Sequence, residues 1–216
     1  MDEAFPVDGR NRVRRRSQRG RYDRETVYDI VDEGRFCHVA FTVDGQPYAI
    51  PTIHARIEDT LFLHGSAVNR MLTALAQGVQ ACVTVTLIDG LVLARSAFHH
   101  SMNYRSAVLF GRASRVDGTE EKLRAFEALV ERLTPGRWGD TREPSAAEID
   151  ATTVIRIPID QASAKVRAGD PVDDDADQGL DHWAGVVPIS MSYGEPRPAA
   201  DLRGGIEIPP YLCGFR

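Results

Sequence analysis

The residues with the clearest chemical potential stand at the boundary between an apolar run and a helical segment, in the stretch "LFLHGSAVNRM". The apolar run closes on His64, Gly65 and Ser66. Gly65 lets a backbone approach a ligand closely, and Ser66 and Asn69 can donate hydrogen bonds. Arg70 adds a forked positive charge, and the first N–H groups of a helix also attract anions. This combination indicates a phosphate-monoester site; the alternative is that Ser66 caps the helix and Arg70 is a surface charge.

A second polar stretch, "HHSMNYRS", separates two apolar segments. Adjacent side chains point in opposite directions from an extended backbone, so we do not expect His99 and His100 to bind one metal ion without a third ligand. The three cysteines, Cys37, Cys82 and Cys213, show no CxxC pairing and indicate neither a disulfide framework nor a zinc site. We therefore predict no metal site.

Apolar residues at every second position predict strands at 36–43, 47–57, 61–65, 80–98, 104–117 and 152–159. The segment 80–98 is expected to form two strands around an Asp89-Gly90 turn. Gly111, in the middle of a predicted strand, indicates a bulge or a close approach of another backbone.

Helical spacing predicts three helices, of which the first runs from an N-cap at Asp23 to a stop at Gly34. The others cover 69–78 and 118–133, and the last carries Leu123, Phe126, Leu129, Val130 and Leu133 on one face. Many short strands with few helices between them are typical of a mainly β protein, here an antiparallel barrel.

The 216 residues are 43% apolar, enough for one substantial core. The net charge of −5 argues against nucleic-acid binding over the whole surface. No apolar run is long enough to cross a membrane, and no apolar stretch follows the arginines as an export signal requires. We therefore expect a cytoplasmic protein without a nucleic-acid or membrane partner.

Charge is unevenly distributed, and it defines two terminal arms. Eight arginines fall between Arg10 and Arg24, while "DPVDDDAD" at 170–177 is strongly acidic. We predict a basic N-terminal arm at 1–20, a barrel domain at 21–168, and an extended C-terminal arm at 169–216 that packs on the barrel or on a partner. Runs of like charge are usually solvated and mobile, and only "WAGVVPI" in the C-terminal arm has the composition to pack on the barrel.

The order of these elements resembles the pyridoxamine 5′-phosphate oxidase superfamily, whose split barrel cradles flavin mononucleotide (FMN). The resemblance covers roughly residues 20–168. It rests on "YDRETVYDIVDEGRFCHVAF", "YAIPTIHARIEDTLFLHGSAVNRMLTAL" and "SAFHHSMNYRSAVLFGRA". Within the superfamily, the chain is most similar to flavin-binding proteins related to nitroimidazole reductase.

The resemblance implies a set of cofactor contacts. The flavin phosphate segment falls on His64, Gly65, Ser66, Ala67, Asn69 and Arg70. The strand along the flavin ring falls on Pro51, Thr52 and Ile53, and residues from a partner subunit fall on Tyr104, Arg105 and Ser106. The oxidases grip the phosphate with an Arg-Lys pair, whereas this chain has Arg70-Met71, so one cation is missing. His64 is the candidate catalytic residue, as a proton donor to substrate; the alternative is that it only hydrogen-bonds the cofactor.

The implied function is an FMN-dependent oxidoreductase that reduces small nitro-aromatic or related compounds. The expected assembly is a homodimer with flavin at the interface. NADPH or NADH would be a transient donor, because no Rossmann fingerprint is present. The alternative is a split barrel that stores or senses flavin, or holds haem through a histidine, without turnover. Pyridoxamine phosphate oxidation would require a basic substrate pocket near the C-terminus, where Arg203 and Arg216 are the available arginines.

Overall fold

The computed structural model describes residues 3–213, which form eleven strands and four α-helices. The strands are β1 Gly20–Arg21, β2 Cys37–Val43, β3 Gln46–Thr52, β4 Ala55–Ile57, β5 Thr60–Ser66, β6 Gln80–Leu93, β7 Ser101–Arg112, β8 Ser114–Arg115, β9 Thr152–Pro158, β10 Gln161–Arg167 and β11 Gly185–Pro188. The helices are α1 Arg24–Glu33, α2 Arg70–Ala76, α3 Thr119–Leu133 and α4 Ala146–Ala151.

The strands form two antiparallel sheets that enclose one main core. The larger sheet has the order β1-β10-β7-β6-β2-β3, with β11 also paired to β6, and the smaller has the order β4-β5-β9-β8. The main core includes Leu61, Leu63, Leu72, Leu109 and Ile155, each no more than 2% exposed. This is the mainly β, antiparallel split barrel that the sequence predicts.

Strand β6 is continuous, so the predicted pair of strands around an Asp89-Gly90 turn is wrong. A register shift between Ile88 and Gly90 replaces the turn. The first half of β6 pairs with β2 and the second half with β11. A Cβ on Gly90 would lie 3.0 Å from the carbonyl oxygen of Val187, so the glycine serves a close approach by β11 rather than a chain reversal.

The predicted strand 47–57 is divided between the two sheets. β3 ends at Thr52 on the edge of the larger sheet, and β4 begins at Ala55 in the smaller one. His54, at the crossing, is 2% exposed, and its Nε2 lies 2.9 Å from the carbonyl oxygen of Val31. The crossing therefore places the end of β3 beside β5.

Gly111 meets another backbone, as one of the two predicted alternatives requires. A Cβ at this position would lie 1.9 Å from the carbonyl oxygen of Pro158. The sequence analysis missed β10, whose residues "QASAKVR" carry too few large apolar side chains to predict a strand.

Both arms make contacts with the barrel, although runs of like charge are usually solvated. In the N-terminal arm Phe5 is 2% exposed, and the Asn11 amide donates to the carbonyl of Ala162 at 3.0 Å. In the C-terminal arm the Asp173 carboxylate accepts from the Arg95 backbone at 2.9 Å. The segment "WAGVVPI" supplies β11, as predicted, whereas residues 189–208 are exposed throughout. No helix within residues 3–213 has the length and apolar character needed to span a membrane.

Candidate functional site

The loop between β5 and α2 is held by its own polar groups. The Asn69 side chain accepts from the Leu72 backbone at 3.3 Å, and the Asn69 N–H donates to the Ser66 carbonyl at 3.0 Å. Asn69 therefore caps α2, and the proposed cap at Ser66 is wrong. Ser66, Ala67 and Asn69 are exposed, so the polar groups that the cap does not use face outward.

Arg70 and its neighbour Met71 have opposite environments. Arg70 is exposed, and its guanidinium lies 5.4 Å from the Tyr48 ring centroid, with Nη1 3.5 Å from the Tyr48 hydroxyl. Met71 is 2% exposed and belongs to the main core. The residue after Arg70, which the resemblance matches to the lysine of the oxidases, is thus a core residue here, and Arg70 is the single cation of that pair.

The predicted ring-side segment lies at the end of an edge strand. Pro51 pairs in register with His38, and β3 ends one residue later at Thr52. Pro51 has no N–H, so it fits the open edge of a sheet. Ile53 follows the strand and lines a cavity together with His64. The structure therefore brings two of the predicted segments, 51–53 and 64–70, to one place.

We call this opening of about 310 Å³ the His64 cavity. Seven of its ten lining residues carry apolar side chains; they are Ile53, Phe126, Leu129, Val130, Leu133, Trp138 and Pro144. Four of these come from the apolar face predicted for α3, where Leu133 remains 40% exposed. The sequence pattern shows an apolar helix face but gives no sign that part of it lines a cavity.

The His64 side chain faces apolar groups rather than polar partners. Its ring lies edge-on to Phe126, with 6.2 Å between the centroids. Neither ring nitrogen forms a hydrogen bond with any described residue, and Nδ1 is buried. Burial lowers the pKa of His64. This shift favours the neutral form of the imidazole, and the catalytic role of His64 stays a prediction.

The third predicted segment lies elsewhere in the same chain. Tyr104, Arg105 and Ser106 belong to β7, three strands from β3 in the larger sheet. At the usual spacing between strands this is about 14 Å. None of the three residues lines the His64 cavity, and their supply by a partner subunit stays a prediction.

Arg105 is engaged by acidic side chains of its own chain. Its Nε and Nη2 donate to the Asp89 carboxylate at 3.0 and 2.8 Å, and Nη2 also donates to Glu33 at 2.8 Å. Ser106 Oγ donates to the Lys165 carbonyl at 3.4 Å. The two carboxylates give Arg105 a structural role that the sequence analysis missed.

Tyr104 lines a second opening, of about 620 Å³, which we call the basic cavity. Its positively charged lining residues are Arg15, Arg16, Arg19, Lys165 and Arg167. His99 and His100 also line it. The sequence pattern does not predict this site, because the arginines of the N-terminal arm and the two cations of β10, Lys165 and Arg167, are about 150 residues apart.

His99 has acidic neighbours at the basic cavity. Its Nε2 lies 3.3 Å from the Asp174 carboxylate, and ligand atoms of His99, Asp174 and Asp177 lie within 4.8 Å of one another. His100 instead places Nδ1 3.0 Å from the Ser96 carbonyl oxygen. The two adjacent histidines therefore have different partners, although His99 ends a 3-10 turn, Ala97–His99, and does not lie in the extended strand that the sequence predicts.

Comparison with known proteins gives both a family match and full-length matches. The family model described as pyridoxamine 5′-phosphate oxidase matches residues 23–166. The flavocytochrome Anf3 from Azotobacter vinelandii is 38% identical, with a TM-score of 0.90 and coverage of 97% of each chain. The FAD and heme binding protein from Mycobacterium smegmatis is also 38% identical, with a TM-score of 0.87 and coverage of 91% of this chain and 97% of that one.

A candidate 5-nitroimidazole antibiotic resistance protein from Bacteroides thetaiotaomicron is 26% identical, with a TM-score of 0.55 and coverage of 67% of this chain and 84% of that one. No curated protein matches. The family match leaves out residues 1–22 and 167–216, whereas the match to Anf3, over 97% of this chain, extends into both arms.

Proposed function

The chain belongs to the pyridoxamine 5′-phosphate oxidase family, and we propose that this member binds a flavin together with haem. The supporting observation is the similarity over 97% of the chain, arms included, to a protein named as a flavocytochrome. A second relative of the same identity is named for binding FAD and haem. Flavin and haem supply redox chemistry that side chains do not, and the protein contributes placement and electrostatics.

The phosphate of the flavin is held by the loop between β5 and α2. Ser66 and Arg70 are exposed there. The cap uses the side-chain oxygen of Asn69 and leaves its side-chain amide nitrogen as a donor. A Cβ on Gly65 would lie 3.0 Å from Leu72, so the loop is packed closely against the helix. Thr52 and Ile53 place backbone groups beside the flavin ring, at the edge where β3 has no further strand partner.

The site is completed by a second copy of the chain. Tyr104 and Ser106 of the partner subunit reach the flavin, because within one subunit β7 is three strands away from β3. The C-terminal arm packs on the partner subunit and buries its exposed apolar side chains there. These side chains are Ile189, Met191, Tyr193, Leu202, Ile206 and Ile208. Light scattering of the flavin-loaded protein should give the mass of two chains, and a single-chain mass would contradict the shared site.

The flavin of this proposal is FAD rather than the FMN implied by the resemblance. FAD carries a second phosphate, and the basic cavity around Tyr104 offers cations for it. The structure gives no ion pair for Arg15, Arg16, Arg19 or Lys165 among the described residues, so these charges are available to a ligand. The relative named for FAD and haem supports the same choice.

Nitro-compound reduction with NADPH or NADH is a second candidate. It is favoured by the similarity to the candidate nitroimidazole resistance protein, over 67% of this chain. In that reaction His64 and Ile53 would line the substrate site. Pyridoxamine phosphate oxidation has less support: Arg203 is exposed on the C-terminal arm, and Arg216 lies outside the described residues.

Cofactor extraction tests the main proposal. The full-length protein, expressed with added iron and a haem precursor, should carry FAD identified by mass spectrometry and haem identified as its pyridine complex. FMN in place of FAD would contradict the flavin assignment, and absence of haem after reconstitution would contradict the two-cofactor proposal. Turnover of a nitro-aromatic compound by the haem-free protein with NADPH would support the second candidate.

A further inference from the structure

The six histidines of the chain differ in whether they can serve as a haem ligand, and the following inference rests on the proposed haem binding. A histidine that ligates haem iron needs a free ring nitrogen, and the porphyrin needs apolar walls. His54 is sealed in the protein interior at 2% exposure, with Nε2 2.9 Å from the Val31 carbonyl oxygen. His38 and His182 are exposed and line none of the cavities described above.

The histidines of the basic cavity already have polar partners. His99 is 3.3 Å from Asp174, and His100 is 3.0 Å from the Ser96 carbonyl oxygen. Five cationic side chains share the walls of that cavity. Such walls favour phosphate groups over the apolar faces of a porphyrin.

His64 has both of the required properties. Neither of its ring nitrogens is hydrogen-bonded within the described chain, and the cavity beside it is mostly apolar. An unpaired buried polar group destabilises a protein. A bond from the ring to a ligand in the cavity would offset this cost, because imidazole nitrogen is a good donor to iron.

We infer that His64 is the axial ligand of the haem, and that the walls formed by Phe126, Val130, Leu133 and Trp138 receive the porphyrin. A cation is also close to the cavity. Glu148 lines it and is paired with Arg142 at 2.6 Å, and the Arg142 side chain is 72% exposed. Arg142 therefore balances the negative charge that Glu148 brings to the cavity wall.

Hemin titration of the full-length, haem-free protein, followed by absorbance and electron paramagnetic resonance, tests the assignment. His64→Gly should weaken hemin binding by about 100-fold or more, since loss of even an outer partner of a metal ligand costs up to that factor. Added imidazole should restore the wild-type spectrum in this variant, which a purely structural role of His64 does not predict. His182→Gly is the matched control and should bind hemin as the wild type does.

A second variant keeps the test decisive if His64→Gly does not fold. His64→Met should still bind hemin, with a changed spectrum and a raised midpoint potential. Wild-type spectra and affinity in either variant, or loss of the spectrum in His99→Gly or His100→Gly alone, would overturn the assignment while leaving haem binding intact. Failure of the wild type to bind hemin would instead overturn the proposed function, and the assignment with it.

Discussion

Arg105 and Glu33 lie 72 residues apart in the chain, and their side chains form a bidentate ion pair that ties β7 to α1. The Asp89 carboxylate accepts from Nε and Nη2 of the same guanidinium, at 3.0 and 2.8 Å. Arg105 therefore joins three elements of one subunit. A direct contact between Arg105 and the flavin, which the resemblance implies, would compete with both carboxylates.

Glu33→Gln should reduce stability in a pH-dependent way. Hydrogen bonds from Arg105 lower the pKa of Glu33 below its ordinary value of 4.5. Its contribution is therefore complete above pH 4.5 and is lost as the pH falls through the lower, folded-state pKa. Because the pair is partly exposed, we expect a loss of up to about 1 kcal/mol at pH 7 that shrinks at low pH.

Urea unfolding of both proteins at pH 7 and near pH 3 measures this effect. Glu127→Gln, at an exposed position of α3, is the control and should change the unfolding free energy at neither pH. A Glu33→Gln effect that grows as the pH falls would contradict the ion-pair explanation.

Lys122→Met should destabilise the link between α3 and α4. Lys122 is 5% exposed, and its Nζ donates to the carbonyls of Ile149 and Thr152, each at 3.0 Å. Methionine keeps the apolar stem but leaves both acceptors without this donor, so we expect a loss of about 2–4 kcal/mol in urea unfolding. Lys165→Met, at a half-buried position of β10, should change stability far less, and equal losses would remove the buried-donor explanation.

Gly111→Ala tests the contact between β7 and the end of β9. The new methyl group would lie 1.9 Å from the backbone oxygen of Pro158, which cannot rotate away. We expect a loss of about 1–3 kcal/mol or more in chemical denaturation. Gly179→Ala, where a Cβ meets nothing within 4 Å, is the matched control. Wild-type stability in Gly111→Ala would show that the two strands can separate without cost.

Arg70→Ala should weaken flavin binding by about 1.5–3 kcal/mol, the contribution of a hydrogen bond to a charged group. Titration of the flavin-free protein, followed by flavin fluorescence, measures the change. Arg124→Ala removes an exposed cation from α3, away from the loop, and should leave the affinity unchanged. Unchanged retention in Arg70→Ala would remove the phosphate assignment.

Replacing Arg15 and Arg19 together by alanine should separate FAD from FMN binding. Both residues line the basic cavity, which we assign to the second phosphate of FAD. Loss of one charged contact corresponds to about a tenfold change in affinity. FAD affinity should therefore fall by at least that factor while FMN affinity stays constant. Equal losses for the two flavins would place these arginines elsewhere in the site.

Local signals predicted the regular elements well where the deciding residues are neighbours. α1 is one example: the Asp23 side chain accepts from the Thr26 backbone at 2.8 Å, and the Gly34 N–H donates to the Ile30 carbonyl at 3.1 Å. β6 is the opposite case. Asp89-Gly90 has a strong turn preference, but the strand continues through it and pairs with β11, about 95 residues later in the chain. The residues near Asp89 give no indication of this distant pairing.

The same distinction applies to the site. The loop that carries Arg70 is visible in one short stretch of sequence, and the family resemblance adds its expected ligand. The His64 cavity is assembled from β5, α3 and the segment around Trp138, and the basic cavity from the N-terminal arm and β10. Neither could be predicted, because their walls meet only through the sheet topology.

Strand β6 pairs with β7 along one edge and with β2 and β11 along the other, and this has a practical consequence for truncation. β11 occupies the side of β6 beyond the part paired with β2, at Gly90–Leu93. Removing the chain from residue 185 onward would uncover a row of main-chain donors and acceptors flanked by Leu91 and Val92. An unpaired strand edge can form hydrogen bonds with a strand of another molecule. We therefore expect shortened versions of this protein to self-associate or precipitate before their barrel unfolds.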